Sequence, residues 1–326
     1  MRRLTVTAES WPIAGTFTIS RGSKTAADVV LVEIADGAHR GRGECVPYGR
    51  YGETIAGAMA EIEAQRGALE KGLSRRDLQS AMKPGAARNG VDCALWDLEA
   101  KQSGQSVSRL AGLPALRPVT TAYTLSLGSV DSMAAAAKAN AHRPLLKLKL
   151  AGPGDLDRVA AVHASAPKSR LIVDANEGWT PDIFAELAPK LLPLGVEMIE
   201  QPLPAAADAP LAELSRPIAV CADESCHGVE TLPRLAGKYD AVNIKLDKTG
   251  GLTGALALAD AAAAQGLAIM IGCMVGTSLA MAPAMLIAQR ARWVDLDGPL
   301  LLARDREDGL RFEGSLVQPP RPELWG

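Results

Sequence analysis

From about residue 118 onward the chain repeats one pattern. A short run rich in apolar and β-branched residues is followed each time by a longer stretch with apolar positions at helical spacing. The short runs fall at 120–127, 145–150, 171–175, 196–200, 218–222, 241–246, 268–273 and 293–296, at intervals of roughly 20 to 28 residues, which suits short connecting loops. Eight strands in strand-helix alternation predict a (β/α)8 barrel, an α/β fold whose parallel strands are buried on both faces. One more run, 309–313, reads as a strand after the last barrel unit, returning to the N-terminal part of the chain.

Residues 1–115 have a different texture. Runs at 4–7, 29–34 and 41–45, separated by turn residues, predict a small antiparallel sheet. Two helices follow, at 54–69 and 86–101, with Gly72 and Gly104 near their ends. The stretches 19–25 and 46–53 are polar and contain glycine, so they read as loops free to move or to approach a ligand. The expected division is therefore an α+β module over 1–115, a barrel over 116–305 and a returning segment over 306–326.

Charged residues interrupt the barrel pattern at particular places. In 145–150, Lys147 and Lys149 alternate with leucines, so both point to one face of a strand. On a wet edge strand they would be ordinary, but two ammonium groups buried in a parallel sheet need partners or a task. Further runs end in Asp174-Ala175-Asn176, Glu200-Gln201-Pro202, Asp223-Glu224-Ser225, Lys245-Leu246-Asp247-Lys248 and Asp295-Leu296-Asp297. A single aspartate there can be a helix N-cap. Its recurrence from strand to strand matches instead the C-terminal face where barrel enzymes build their sites.

Composition removes other classes of function. The 326 residues are 48% hydrophobic and 22% charged with a formal charge of −2, which gives no electrostatic reason to expect nucleic acid or a membrane surface as a partner. No apolar run reaches a spanning length, and the basic start 1–10 lacks the apolar core of a signal peptide. Five scattered cysteines without a CxxC read as reduced thiols in a cytoplasm. The four histidines lack metal spacing and read as structural or surface residues. A small-molecule substrate is what remains, with self-association into a homo-oligomer left open.

The order of strands on a ring of eight then assigns chemistry. Strands three, four and five are neighbours, so Asp174, Glu200 and Asp223 converge, and three such carboxylates repel unless a divalent cation joins them. All-oxygen ligation favours Mg2+ over zinc. A glycosidase-like carboxylate pair would leave the third acid and the lysines without a role. Strands two and six face each other, which sets Lys149 opposite Lys245 as required for removing a proton from one face of a carbon and returning one to the other. Burial, Lys147 and the metal are expected to lower the lysine pKa toward neutrality. Mg2+ on a substrate carboxylate, helped by Lys147, would stabilise the enediolate. A Schiff-base aldolase would use a lysine but not three carboxylates. Asp295 and Asp297, across from the metal, suit a substrate ammonium, and the whole has the dimensions of a dipeptide. Two aspartates opening a turn before Gly298-Pro299 are the alternative.

The ordered set Lys147-x-Lys149, Asp174-x-Asn176, Glu200-Gln201-Pro202, Asp223-Glu224-Ser225 and Lys245-x-x-Lys248-x-Gly250-Gly251 resembles the muconate lactonizing enzyme subgroup of the enolase superfamily. With Asp295-Leu296-Asp297 it resembles the dipeptide epimerases, the L-Ala-D/L-Glu epimerases of murein peptide metabolism above all. Residues 88–98 and 271–274 extend the likeness over nearly the whole chain. The resemblance implies that residues 1–115 are a capping domain with specificity loops. It implies Mg2+ ligation by Asp174, Glu200 and Asp223, acid/base roles for Lys149 and Lys245, enolate support by Lys147, and ammonium binding by Asp295 and Asp297. It also places Arg21 against the glutamate side-chain carboxylate, a task for which Lys24 or Arg50 could substitute. A cycloisomerase, an o-succinylbenzoate synthase or an N-acylamino acid racemase would use the same metal and lysines. A barrel without catalysis would have lost part of the set.

Overall fold

The computed structural model describes residues 2–326. Three strands, β1 (Arg3–Ile19), β2 (Gly22–Asp36) and β3 (His39–Cys45), form an antiparallel sheet in that order. The first hairpin is far longer than the predicted runs at 4–7 and 29–34, with pairing from Arg3↔Ala35 to Ile19↔Gly22 and a shift between Pro12 and Phe17. The polar stretch 19–25 is thus the tip of a hairpin and not a free loop. Gly22, at φ 137°, makes the reversal. The predicted helix 54–69 divides into Ile55–Ala64 and Arg66–Glu70, and an unpredicted one, Arg75–Ala81, follows.

Helix Ala86–Ser103 fastens this module to the rest. Val91, Ala94, Leu95 and Leu98 pack on Val30, Val32 and Ile34 of β2, while Cys93, Trp96 and Ala100 enter the barrel core. The helix lies so close to β3 that a Cβ on Gly41 or Gly43 would sit 2.1 Å from the carbonyl oxygen of Ala94 or Gly90. Its buried polar residues are all bonded, as burial requires. Arg88 donates to the carbonyls of Thr249 and Gly250 at 2.8 and 3.0 Å, and Asn89 Nδ2 donates to Asp247 Oδ1 at 2.8 Å. Asp92 accepts from the Thr253 backbone and hydroxyl at 3.0 and 2.7 Å.

After β4 (Val119–Thr120), the barrel is built from β5 (Tyr123–Leu125), β6 (Leu145–Lys149), β7 (Arg170–Asp174), β8 (Val196–Glu200), β9 (Ala219–Ala222), β10 (Ala241–Ile244), β11 (Ala268–Ile271) and β12 (Trp293–Val294). These eight strands are parallel and in sequential order. The ring closes where Ala122 N–H donates to the Val294 carbonyl at 2.7 Å and Leu296 N–H to Thr121 Oγ1 at 2.8 Å. One residue from the run leading into or forming each strand, namely Ala122, Leu145, Ile172, Met198, Cys221, Ala241, Met270 and Trp293, joins a single buried cluster that plugs the interior. The predicted (β/α)8 architecture with an N-terminal capping module is the observed one.

Two expectations need correction. The segments after β8 and β9 are not α-helices but short 3-10 turns, Ala205–Ala207, Ala209–Ala212 and Val229–Arg234. Pro204, Pro210 and Pro233 lie in or beside them, and proline removes the donor that a regular helix needs. The run at 309–313 supplies β13 (Phe312–Glu313), which pairs with β14 (Leu316–Val317), which pairs in turn with β4 and not with the N-terminal sheet. Contact with the capping module is made on either side of these strands, where Arg306 Nη2 donates to Glu9 and Glu44 at 2.7 Å each, and where Trp325 Nε1 donates to the Cys93 carbonyl at 3.0 Å and Gly326 N–H to Asp97 at 2.7 Å. Among the described residues no helix is long and apolar enough to cross a membrane, and all five cysteines are unpaired.

Candidate active site

Side chains two apart on a strand share a face, so the buried plug dictates what stands above it. Moving two residues on from its eight members gives Thr124, Lys147, Asp174, Glu200, Asp223, Asn243, Gly272 and Asp295. Seven of these eight are polar or charged, and those seven are buried. Charge therefore collects in one layer at the C-terminal end of the barrel, enclosed by the chain itself.

Within this layer the ions are paired. Lys147 Nζ lies 2.6 Å from Glu200 Oε2, 2.6 Å from Asp295 Oδ2 and 3.4 Å from Asp174 Oδ2. Lys149 Nζ donates to Asp174 Oδ2 at 2.6 Å and Lys245 Nζ to Asp223 Oδ2 at 2.7 Å. Lys248, just beyond β10, donates to the Asp223 carboxylate and carbonyl at 2.6 Å each and to the Asn243 carbonyl at 2.9 Å. Asn243 Nδ2 donates to Glu200 Oε1 at 2.6 Å.

Burial works against every charge here, and the neighbours decide the outcome. Burial opposes ionisation of Asp174, but Lys149 and Lys147 prevail and its pKa falls to about 2. Asp223 is likewise held well below its usual range by Lys245 and Lys248. Glu200 is pushed up by burial and by Asp174. For Lys147 and Lys245 the carboxylates outweigh burial, and both are raised. The expected lowering of a lysine pKa toward neutrality is thus reversed at Lys245, because Asp223 from the adjoining strand and Glu200 from the one beyond it face it.

Asp174, Glu200 and Asp223 occupy the layer as expected, but ammonium groups stand between them. Among the described residues no three carboxylate, thiol or imidazole groups form a ready coordination sphere. The donor set nevertheless fits a hard cation. Asn176 Oδ1, Glu224 Oε2, Asn243 Oδ1 and Asp295 Oδ1 are buried and accept no hydrogen bond, and Glu200 Oε2 meets only the Lys147 ammonium. Four orphaned oxygens gathered at one end of a barrel are what a divalent cation with its water would satisfy.

A cavity of about 760 Å³ opens above the layer, roomy enough for a dipeptide-sized ligand. Lys149 on β6 and Lys245 after β10, four strands apart on the ring, both line it, as does Asp223. Lys147, Asp295 and Asp297 lie outside its lining. Asp297 Oδ2 accepts from Thr124 N–H at 2.6 Å, and burial together with Asp295 pushes its pKa up to about 7.

The capping module roofs the cavity with the hairpin tip and the segment 46–53. Arg21 lines the roof, but its donors are engaged by Glu224 Oε1 at 2.7 Å, the Asn176 carbonyl at 2.7 Å and Tyr48 OH at 3.0 Å. Glu224, buried beside Asp223 and Asp174, is pushed up to about 7. Lys24 stands 5.5 Å from the centre of the Tyr48 ring and forms no ion pair among the described residues. Sequence reasoning passed over Asn243 and gave Lys248 and Glu224 no role beyond membership of a motif. Asn243 could have been found by counting two back from Lys245, whereas nothing in the string marks Glu224 as the partner of Arg21.

Residues 1–112 match the N-terminal domain of the mandelate racemase / muconate lactonizing enzyme family, and residues 130–322 match the enolase C-terminal domain-like family. The chain belongs to this family of the enolase superfamily. It is 47% identical, over 96% of its length and 98% of the relative's, to an L-Ala-D/L-Glu epimerase of Escherichia coli K12. It is 44% identical, over 91% and 95%, to an N-acetyl-D-glutamate racemase of a Pseudoalteromonas species. A crystal structure of an enolase family member from Agrobacterium tumefaciens with homology to dipeptide epimerases superposes with a TM-score of 0.98 at 56% identity, covering both chains completely. That protein has bound sodium and L-Ala-L-Glu, with an ordered loop.

Proposed function

We propose that the chain is a dipeptide epimerase, an isomerase that inverts the C-terminal residue of L-Ala-L-Glu and L-Ala-D-Glu. The observation that carries this reading is the placement of Lys149 and Lys245 on opposite strands of one cavity, each hydrogen-bonded to a carboxylate that fixes its direction. Asp174, Glu200 and Asp223 would hold Mg2+. When bound, the ion would draw off the negative charge that builds on the substrate carboxylate as the α-proton leaves. Lys147 adds a fixed positive charge beneath the same region.

A substrate α-carbon between the two lysines gives its proton to the amine on one side and takes one from the ammonium on the other. Which lysine acts as base depends on the hand of the substrate. Asp223 and Asp174 keep each ammonium aimed inward and share the proton's positive charge, so neither lysine must rotate between steps. The roof excludes water, which protects the carbanionic state from unspecific protonation. The side-chain carboxylate of the substrate meets the cationic roof. Because Arg21 is already bonded to Glu224, Lys24 is the cation with capacity to spare, and Arg21 adds its field.

Proton NMR in D2O with Mg2+ tests the reading. Loss of the glutamate α-proton of L-Ala-L-Glu with growth of the L,D diastereomer is the expected result. Absence of exchange in any dipeptide would overturn it.

One observation favours a second reading, racemisation of N-acylated glutamate. Asp295 is neutralised by Lys147 and Asp297 is pushed up to about 7, so the two do not offer a free double negative charge to a substrate ammonium. A neutral acyl group would then fit where the N-terminal residue of a dipeptide does. Exchange of N-acetylglutamate faster than of L-Ala-L-Glu would select this reading, with the same lysines and carboxylates at work.

A further inference from the structure

Glu177 lies three residues beyond Asp174, past the end of β7, and has no part in the chemistry described above. Its carboxylate receives a two-pronged pair from Arg50 of the segment 46–53, Nε to Oε2 at 2.8 Å and Nη2 to Oε1 at 2.9 Å. The same carboxylate is 3.3 Å from Arg21 Nη1 of the hairpin tip and accepts the backbone N–H of Ala205, after β8, at 2.9 Å. One side chain therefore touches both elements of the roof and two loops of the barrel.

The backbone beneath it is set for this purpose. Asn176 and Glu177 have φ of 45° and 65°, in the left-handed region that side-chain-bearing residues seldom adopt. The conformation is held by Glu177 N–H donating to the Gln201 carbonyl at 2.9 Å. Its result is that the Asn176 carbonyl faces the roof, where it accepts from Ser20 Oγ at 3.0 Å and Arg21 Nη1 at 2.7 Å. Charges alternate along the line Glu224, Arg21, Glu177, Arg50, from the buried layer to the surface. Glu177 is the member shared by the two roof elements.

We propose that Glu177 is a positioning residue that latches the hairpin tip and the segment 46–53 to the barrel together, so that the two open and close over the cavity as one unit. A substrate enters by parting the Arg50 pair, and the roof closes behind it as the same bonds reform. The latch extends the epimerase reading to how substrate is admitted, but its first test needs no substrate, so a chain that turned over no dipeptide would still report on it.

Hydrogen-deuterium exchange of the full-length protein, read by mass spectrometry on peptides covering 15–25 and 46–54, makes the test. Glu177→Gln keeps the shape and weakens the ionic bonds. It is expected to speed exchange about tenfold in both segments, the measure of one set of charge-assisted bonds, while β7 and β8 stay protected. Arg50→Ala should speed 46–54 alike and leave 15–25 within about twofold, since Arg21 then keeps the Glu177 carboxylate in addition to Glu224 and the Asn176 carbonyl. The double variant should be no faster at 46–54 than either single one. Unchanged exchange at 15–25 in Glu177→Gln would overturn the shared latch, and so would loosening of β7 and β8, which would mark Glu177 as part of the barrel's framework only. With a substrate that turns over, Glu177→Gln should raise KM about threefold or more and leave kcat within about twofold. An equal loss in kcat and kcat/KM would count against a latch.

Discussion

Two layers of the same barrel, about 7 Å apart along each strand, are built on opposite principles. The lower one, from Ala122 round to Trp293, is a buried apolar cluster held chiefly by packing. The upper one is charged and held by ion pairs at 2.6–2.7 Å, with the Oδ1 atoms of Asn243 and Asp295 left without a donor. Both are almost fully buried. The lower layer tolerates a change of shape at the cost of a cavity, whereas the upper cannot lose one partner without stranding another. The plug makes the floor against which the charged layer is held, and the charged layer is where the molecule departs from what stability alone would select.

The comparison can be broken most sharply at the two lysines that reach the cavity. Lys149→Ala or Lys245→Ala should lower kcat for epimerisation about 10³-fold or more, read by NMR or polarimetry, with the fold intact. Solvent deuterium exchange should survive in one substrate stereoisomer for each variant. Retained epimerisation in both would end the two-lysine assignment. Lys147→Met removes the ammonium shared by Asp174, Glu200 and Asp295. It should cost about 3–5 kcal/mol in urea unfolding, because buried carboxylates are left uncompensated.

In the plug, Met198→Ala should cost about 2–5 kcal/mol through the cavity it leaves, yet keep activity per folded molecule near that of the parent. Loss of activity without loss of stability would show that the layers are not separable. Addition of Mg2+ at about 100 times its Kd should stabilise the protein by about 2.7 kcal/mol, seen as a rise in Tm over the EDTA-treated protein. Asp223→Asn should lose that increment.

The smallest effect concerns pH at the clamp between module and barrel. Burial raises Asp92 from its usual 3.8 to about 6 against the bonds from Thr253 and Gln79. Its contribution is complete below the unfolded value and is lost as pH rises through the folded one. Stability should therefore decline by up to about 1.4 kcal/mol per pH unit between about pH 4 and 6, a decline that Asp92→Asn removes. Identical pH profiles for the two proteins would refute it.

The upper layer was largely legible before folding because period-2 spacing and the ring order are arithmetic. Lys147, Lys149, Asp174, Glu200, Asp223 and Asp295 fall on inward positions by counting alone. What counting does not show is which charges meet. That Lys147 would join three carboxylates depends on side-chain reach across strands that are not sequence neighbours. The raised pKa of Lys245 escaped for the same reason, since burial was foreseeable and the nearness of Asp223 and Glu200 was not. The hairpin was underestimated because Glu9, Ser10, Pro12 and Gly15 break the alternation that marks a strand, while its pairing is made by the backbone. The helices after β8 and β9 were overestimated although the prolines that exclude them were in view.

The seam of the ring has a consequence in the order of synthesis. The barrel is closed by Ala122 meeting Val294 and Thr121 meeting Leu296, and Thr124 bonds Asp297 beside them. Partners about 170 residues apart in the chain can meet only after every intervening strand has been laid down. A nascent chain emerging from the ribosome carries Lys147, Asp174, Glu200 and Asp223 well before the residues that seal them from water. Until Asp295 and Asp297 arrive with the closing strand, those charges share a half-built and hydrated trough, so the dry setting that gives them their strength comes late in the growth of the chain.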